Sequence, residues 1–281
     1  MLSAVIYMKL DKYSLALIEL TQHVGTEHFY SKLKDFFKVT FDFDEILVLQ
    51  FHKSADTQLH YRYGNVGKKN KLYGEESWRY LTRLYVLDPF YRLFADKGKE
   101  GFYSLDEIAP DEFSSSYSSY FNFLSLTDEV GYLFPIDKDN CLHLDISRFG
   151  NTDKFSSTDK TKFKQLVTPI QNLCNSHLAM MGENSEISHS NVENALLNFG
   201  IDILTKKEYQ VCQLLLQGHS TKAIGTIMSI GYETVKMHKK NIYGKTFLSS
   251  QSELLALFID ILQSDSLETD VDHLSIHVDG Q

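Results

Sequence analysis

The sequence predicts an α+β amino-terminal domain followed by a smaller all-α domain of four helices, on three observations. Two pairs of short strand-like stretches, each joined by polar turn residues, lie before residue 150 and read as antiparallel hairpins. From residue 204 to residue 262 the apolar spacing is helical throughout. Between these regions GENSEISHSNVE (182–193) is small and polar, the composition of a linker. The expected division is 1–181, a linker at 182–199, a helical domain at 200–264 and an acidic tail at 265–281.

In chain order, apolar residues at helical spacing fall in 12–22 and 29–39. EILVLQF (45–51) and QLHYRYG (58–64) follow as strands, rich in branched and aromatic side chains. GEESWRYLTRLYVLDPFYRLF (74–94) has helical spacing, with Pro89 breaking or restarting the helix because it has no amide hydrogen to give. VGYLFPI (130–136) and CLHLDIS (141–147) flank the turn residues DKDN, and a closing helix is expected from Thr158 to Met180. This α-α-β-β-α-β-β-α order gives an antiparallel sheet flanked by helices, an α/β/α layering of GAF or PAS type. In CLHLDIS the alternation puts Leu142, Leu144 and Ile146 on one face and Cys141, His143 and Asp145 on the other. Such a sheet, with aromatic side chains over one face, is a common frame for a small-molecule cavity.

At 281 residues, 43% hydrophobic and 13% aromatic, the chain has ample material for burial. A formal charge of −9 argues against a protein that coats nucleic acid non-specifically. The average hides a division, however. Residues 1–199 hold 21 Lys and Arg against 27 Asp and Glu, residues 200–264 hold 7 against 5, and residues 265–281 hold 0 against 5. Only the middle segment is positive, and the tail reads as frayed. Cys141, Cys174 and Cys212 form no CxxC pair and their odd number fits no disulfide framework, which suits a reducing compartment. The amino terminus has no basic stretch ahead of its apolar residues, and Lys9, Asp11 and Lys12 interrupt any membrane-length run. A cytoplasmic protein without a membrane anchor is expected.

The positive segment is organised around GYETVKMHKKNIYGK (231–245). Helical spacing sets Val235 and Ile242 on one side and Glu233, Lys236, Met237 and Lys240 on the other. Lysine at that density suits phosphate neutralisation, and Glu233, Lys236, Met237 and Lys240 could reach base edges in a major groove about 12 Å wide. Before it, LTKKEYQVCQLLLQG (204–218) opens with Thr205 and Glu208 at capping-box spacing, buries Val211, Leu214 and Leu215, and ends at Gly218. STKAIGTIMSIG (220–231) has Ser220 as N-cap and Ala223, Ile224 and Ile227 facing inward, so the pair reads as a helix-turn-helix. In the fourth helix, SSQSELLALFIDIL (249–262), Leu254, Leu255 and Phe258 give more apolar surface than a three-helix unit needs, and a dimer contact is expected there.

Residues 204–256 resemble the DNA-binding domain of the LuxR (GerE or NarL/FixJ) transcription regulators. The family pattern L-T-x-R-E-x-x-V-L is met by Leu204, Thr205, Glu208 and Val211, and G-x-S-N-K-E-I-A by Gly218, Ser220, Lys222 and Ile224. T-V-K-x-H-x-x-N-I-x-x-K is met by Thr234, Val235, Lys236, His238, Asn241, Ile242 and Lys245. Thr221, Ala223 and Gly225 depart from it, and Gly225 is expected to weaken its helix by up to about 1 kcal/mol. The resemblance implies a dimeric, ligand-responsive regulator of transcription. Its DNA contacts would come from Lys222, Glu233, Thr234, Lys236, Met237, Lys239, Lys240 and Lys245. The implied partners are double-stranded DNA, a small-molecule effector, RNA polymerase and a second copy of the chain, with no membrane, resident cofactor or metal.

LYVLDPFYRLF (84–94) is similar to the Asp-Pro segment of the acyl-homoserine-lactone-binding domains of quorum-sensing members, which would make Asp88 the polar anchor of an effector. By the same likeness FYSL (102–105) places Tyr103 over the ligand. Tyr61, Tyr63, Trp78 and Tyr85 complete the expected lining. Competing readings stand beside these. Asp88 could simply cap the helix that Pro89 starts, and regularly spaced aromatics are commonly core. His143 and Asp145 share a strand face with no nucleophile or metal partner in the local sequence, which argues against an enzyme. Asp42, Asp44 and Glu45 precede their strand, which excludes a phosphorylation-switched receiver. The alternative function is a small-molecule-binding module whose helix-turn-helix contacts a protein.

Overall fold

The structure, a computed structural model, describes residues 11–64, 84–111, 126–150, 152–182, 192–263, 268 and 270–280. Helices α1 (Lys12–Gln22) and α2 (Phe29–Thr40) precede strands β1 (Glu45–His52) and β2 (Gln58–Gly64). A 3-10 turn (Leu84–Leu87) leads into α3 (Pro89–Lys97), then β3 (Gly101–Ser104) and α4 (Leu105–Ile108). Strands β4 (Leu126–Pro135) and β5 (Asn140–Phe149) and helices α5 (Ser157–Gln165) and α6 (Val167–Met181) complete the domain. The sheet order is β2-β1-β5-β4-β3, antiparallel throughout.

Strand alternation divides the burial between two faces. Ile46, Val48, Val130, Tyr132, Leu142, Leu144 and Ile146 pack with Phe29, Leu33, Phe36 and Phe37 of α2, Phe163 of α5 and Cys174 of α6. The Tyr132 hydroxyl, deep in this layer, donates to the Phe163 carbonyl at 2.9 Å. Leu47, Leu49, Phe51, Leu133 and Cys141 face the other way, toward the 3-10 turn and α3. β1, β4 and β5 are therefore buried on both sides over most of their length, whereas the edge strands β2 and β3 are not.

Several expectations needed revision. β3, an edge strand of four residues, is too short to show alternation in the sequence. The expected closing helix is two helices meeting at Leu166. Of the helix expected over 74–94, residues 74–83 lie outside the described residues; Leu84–Leu87 is a 3-10 turn and a new helix starts at Pro89. Asp88 is its N-cap, accepting the Phe90 amide hydrogen at 2.7 Å.

The second domain holds α7 (Val192–Asn198), α8 (Lys206–Leu216), α9 (Thr221–Met228), α10 (Tyr232–Thr246), α11 (Gln251–Gln263) and α12 (His273–Asp279). Thr205 and Glu208 form the expected capping box. Ser229, left-handed at φ 55°, makes the turn between α9 and α10. Gly225 has a purpose here: a Cβ on it would lie 3.0 Å from the Ile230 carbonyl oxygen, inside that turn. Ile227, expected inside, is 53% exposed.

α7 lies in the segment expected to be linker, and it buries Ala195 and Leu196. Leu254, Leu255 and Phe258 are corrected from dimer contacts to core: all three are buried within the chain, and the Phe258 ring meets Phe199 at 5.0 Å. The surplus apolar surface of α11 is covered by α7 and its neighbours. The acidic tail is not frayed over its described part. Asp272 is buried and accepts the Gly200 and Asp202 amide hydrogens at 2.7 and 2.9 Å, and Leu274 enters the core. α7 also packs on the 3-10 turn, so one apolar cluster runs through both domains.

α10 is clasped to α8 by an ion pair. Lys245 Nζ donates to Glu208 Oε2 at 2.8 Å and to the Ile203 carbonyl at 3.1 Å, and Glu208 is 4% exposed. Burial works against the carboxylate, but hydrogen bonds from Lys245 and Thr205 overcome it and bring its pKa down from 4.5 to about 2. A depressed folded-state pKa stabilises above the unfolded value and is lost as pH falls through the folded one. Glu208→Gln keeps the cap and removes the charge, so wild type should exceed it in unfolding free energy by on the order of 2 kcal/mol at pH 7. Denaturant titrations should show that advantage fading between pH 4.5 and pH 2, and a pH-independent difference would contradict the clasp. Asp272→Ala, which orphans the Gly200 and Asp202 amides and the two that Asp272 caps at Leu274 and Ser275, should cost about 1–3 kcal/mol by the same measurement; no loss would mean that the tail is not docked.

Candidate nucleic-acid interface and sensor face

The basic helix lies as its spacing requires. Val235, Ile242 and Thr246 are buried, while Glu233, Thr234, Lys236, Met237 and Lys240 are exposed, Met237 to 52%. An apolar side chain open to solvent between lysines on a helix suits contact with something other than water. The Lys236 and Glu233 side chains meet at 3.3 Å, an exposed pair worth little and easily exchanged for another partner. Lys222 on α9 is exposed on the neighbouring helix. Lys239 is half-buried, its ammonium 3.3 Å from Thr221 Oγ1 and 3.5 Å from Gln251 Oε1.

Lys245 is corrected. Ten residues after Val235 it falls at about −80° around the helix, beside the buried stripe, so it reaches Glu208 rather than solvent on the lysine face. Its side chain holds Glu208 while remaining 39% exposed.

The amino end of α9 is engaged by the other domain. Ser220, its N-cap, accepts the Ala223 amide hydrogen at 3.1 Å. Asp111 in turn accepts the Ser220 amide hydrogen at 2.9 Å and the Ser220 hydroxyl hydrogen. The amino-terminal domain thus sets a carboxylate at a helix amino terminus of the helix-turn-helix, where amide groups favour an anion.

On the sensor face the strand register lines up three rows. Glu45, Ser147 and Glu129 form one; Leu47, Asp145, Gly131 and Tyr103 the next; Leu49, His143 and Leu133 the third. Tyr85, Asp88, Phe90 and Tyr91 cover this face from the 3-10 turn and α3 and are buried. The Tyr85 and Tyr91 hydroxyls donate to the Ala55 and His52 carbonyls at 3.3 and 3.2 Å. Tyr103, half-buried on β3, donates to the Glu100 carbonyl at 3.0 Å. Tyr85 and Asp88 belong to the segment that covers this face and Tyr103 to its edge strand, and Asp88 caps its helix as well. Trp78 lies outside the described residues.

Tyr61 and Tyr63 are corrected. The register of β2 shifts opposite Val48 and Leu49, and the bulge turns Tyr61 toward Val48 and Tyr63 toward Ile46, on the α2 side of the sheet. Tyr63 there meets the Lys34 ammonium at 4.9 Å.

Sequence reasoning also missed Glu129. A ligand atom from each of Glu129, His143 and Asp145 lies within 4.8 Å of the others. Burial pushes Asp145 up to about 8 and Glu129 upward too, with the neighbouring carboxylates Asp88 and Glu45 adding to both. Burial lowers His143, with Asp88 pulling the other way. Glu129 comes from the adjacent strand, so nothing in the local sequence of CLHLDIS could have announced it.

The family description "Bacterial regulatory proteins, luxR family" (GerE) matches residues 202–258. A helix-turn-helix transcriptional regulator of the exeN 3′ region of Aeromonas salmonicida is 29% identical over 185 residues, which span 62% of this chain and 94% of that protein. The oxygen regulatory protein NreC of Staphylococcus aureus is 32% identical over 72 residues, covering 26% of this chain and 33% of NreC. In fold, the chain is similar to the LBD domain of VqsR from Pseudomonas aeruginosa, with a TM-score of 0.50 and 23% identity over 59% of this chain and 96% of that one. No helix among the described residues is long and apolar enough to cross a membrane. With its helix-turn-helix, its exposed lysine face and a matching family description, the carboxyl-terminal domain is a LuxR-type DNA-binding helix-turn-helix.

Proposed function

We propose that the chain regulates transcription in response to a small molecule held on the sensor face, reading an operator with α10. The observation that carries this is the division of α10 into a buried apolar side and an open side bearing Glu233, Lys236, Met237 and Lys240. Lys236 and Lys240 neutralise phosphate or reach guanine, Lys222 and Lys239 add phosphate contacts from beside α9, and Thr234, Glu233 and Met237 meet base edges. Two copies would read half-sites related by two-fold symmetry. Tyr85, Asp88 and Tyr103 are the effector contacts of this reading.

Asp111 supplies a means of control. In helix-turn-helix docking the first helix crosses the DNA backbone, so a carboxylate at the α9 amino terminus competes with phosphate for the same amides. An effector favouring an arrangement in which Asp111 has left would raise DNA affinity by its differential affinity for the two arrangements.

Two outcomes are expected with the full-length chain and a duplex selected for binding to it. Lys236→Ala with Lys240→Ala should abolish specific binding and lower the slope of log affinity against log salt by about 2, with an unchanged unfolding midpoint. Unaltered affinity would count against α10 as the reader. Asp111→Asn should raise DNA affinity without effector by roughly two- to fivefold, from loss of one charge at the helix end. Equal or weaker binding would remove Asp111 from the account.

A further inference from the structure

We propose that Glu129, His143 and Asp145 form a binding site for a divalent first-row transition ion of the Zn²⁺ kind within the sensor domain, a site separate from the DNA interface. His143 is 1% exposed, and its Nδ1 lies 3.1 Å from the Tyr132 carbonyl oxygen. A carbonyl can only accept, so Nδ1 carries the hydrogen and Nε2 presents a bare lone pair. That Nε2 is buried and has no hydrogen-bond partner. A ring nitrogen fixed in this way, its other N–H donated to a backbone carbonyl, is the arrangement of metal-binding histidines.

The polar groups nearest that lone pair are carboxyls, and none of them is hydrogen-bonded to it. Asp145 accepts the Ser147 hydroxyl hydrogen at 2.6 Å through Oδ1, which orients the carboxylate and leaves its second oxygen. Asp88 and Glu45 add negative charge within electrostatic reach of Asp145 and Glu129. Arg62, the cation recorded against Glu45, is bound to it at 3.0 Å. Among the described residues no Lys or Arg pairs with Glu129 or Asp145.

Size favours a bare ion over an organic cation. Three atoms mutually within 4.8 Å share a point within about 2.8 Å of each, and Zn²⁺ sits roughly 2.0–2.2 Å from nitrogen and carboxylate ligands, so side-chain shifts under about 1 Å close the site. Phe51 stacks on the imidazole at 4.9 Å and Phe90 lies 4.8 Å from it, so two rings fix its orientation. Gly131 is what lets the ring lie there, since a Cβ on it would come within 2.7 Å of His143 Cε1. Glu129 is half-buried while its two partners are buried, which gives an entry path from its side. One imidazole with two carboxylates is a donor set for zinc, iron or manganese, and the nitrogen selects against calcium and magnesium.

The test uses purified full-length protein stripped with a chelator and titrated calorimetrically with ZnCl₂, then with MgCl₂. One Zn²⁺ per chain at micromolar or tighter Kd is expected, with Mg²⁺ at least tenfold weaker. Glu129→Gln and Asp145→Asn preserve shape, and each should weaken Zn²⁺ binding tenfold or more while circular dichroism stays that of wild type. Co²⁺ in place of Zn²⁺ should give visible absorption that is lost in both variants. Absence of Zn²⁺ binding, binding undiminished in both variants, or stabilisation by a polyamine but not by Zn²⁺ would each overturn the proposal. None of these readouts involves DNA.

Discussion

A helix that is to lie in a DNA groove must be held by one side only, and the hold on α10 is the constraint that the second domain is built to satisfy. Val235 and Ile242 enter the core against α8 and α9, and Lys245 locks the last turn to the capping-box glutamate of α8. Gln251 of α11 adds a bond to the Leu215 carbonyl at 2.9 Å, and its other amide atom meets Lys239. Every one of these contacts lies on the side away from Lys236 and Lys240. The helix can therefore be stabilised without drawing on Lys236 or Lys240.

The amino-terminal domain solves a different problem. One sheet carries two cores, and the face toward the 3-10 turn mixes an apolar end with a cluster of carboxylates and an imidazole. Burying such a cluster is costly unless something offsets it. The covering segment, Leu84–Leu87 and α3, is also the segment that α7 packs against, and α7 is continuous in its packing with Phe199 and α11. Whatever settles on the sensor face thus presses on elements shared with the DNA-binding domain. Contact of this kind provides the material for coupling, and the coupling itself comes from unequal affinity for two arrangements.

Local chemistry made the second domain legible. Thr205 with Glu208, Ser220 and Gly218 are signals complete within a few residues, and each fell where the chain used it. The hairpin strands were legible because alternation is local too. What escaped was set by distant partners. The bulge that sends Tyr61 and Tyr63 to the far face exists only in the pairing of β1 with β2. Glu129 joins His143 and Asp145 across a strand boundary, and Asp272 reaches amides at Gly200 and Asp202 from the other end of the domain. Lys245 sits between these cases: helical geometry alone puts it near the buried stripe, but the motif's basic character masked that position.

The central claim is that the open side of α10 reads duplex sequence. In vitro selection from a random duplex library with the full-length chain tests it most directly. The account predicts enrichment of a short motif whose binding weakens steeply as salt rises and is lost when major-groove base edges are methylated. A selected pool no different from the starting library would contradict it.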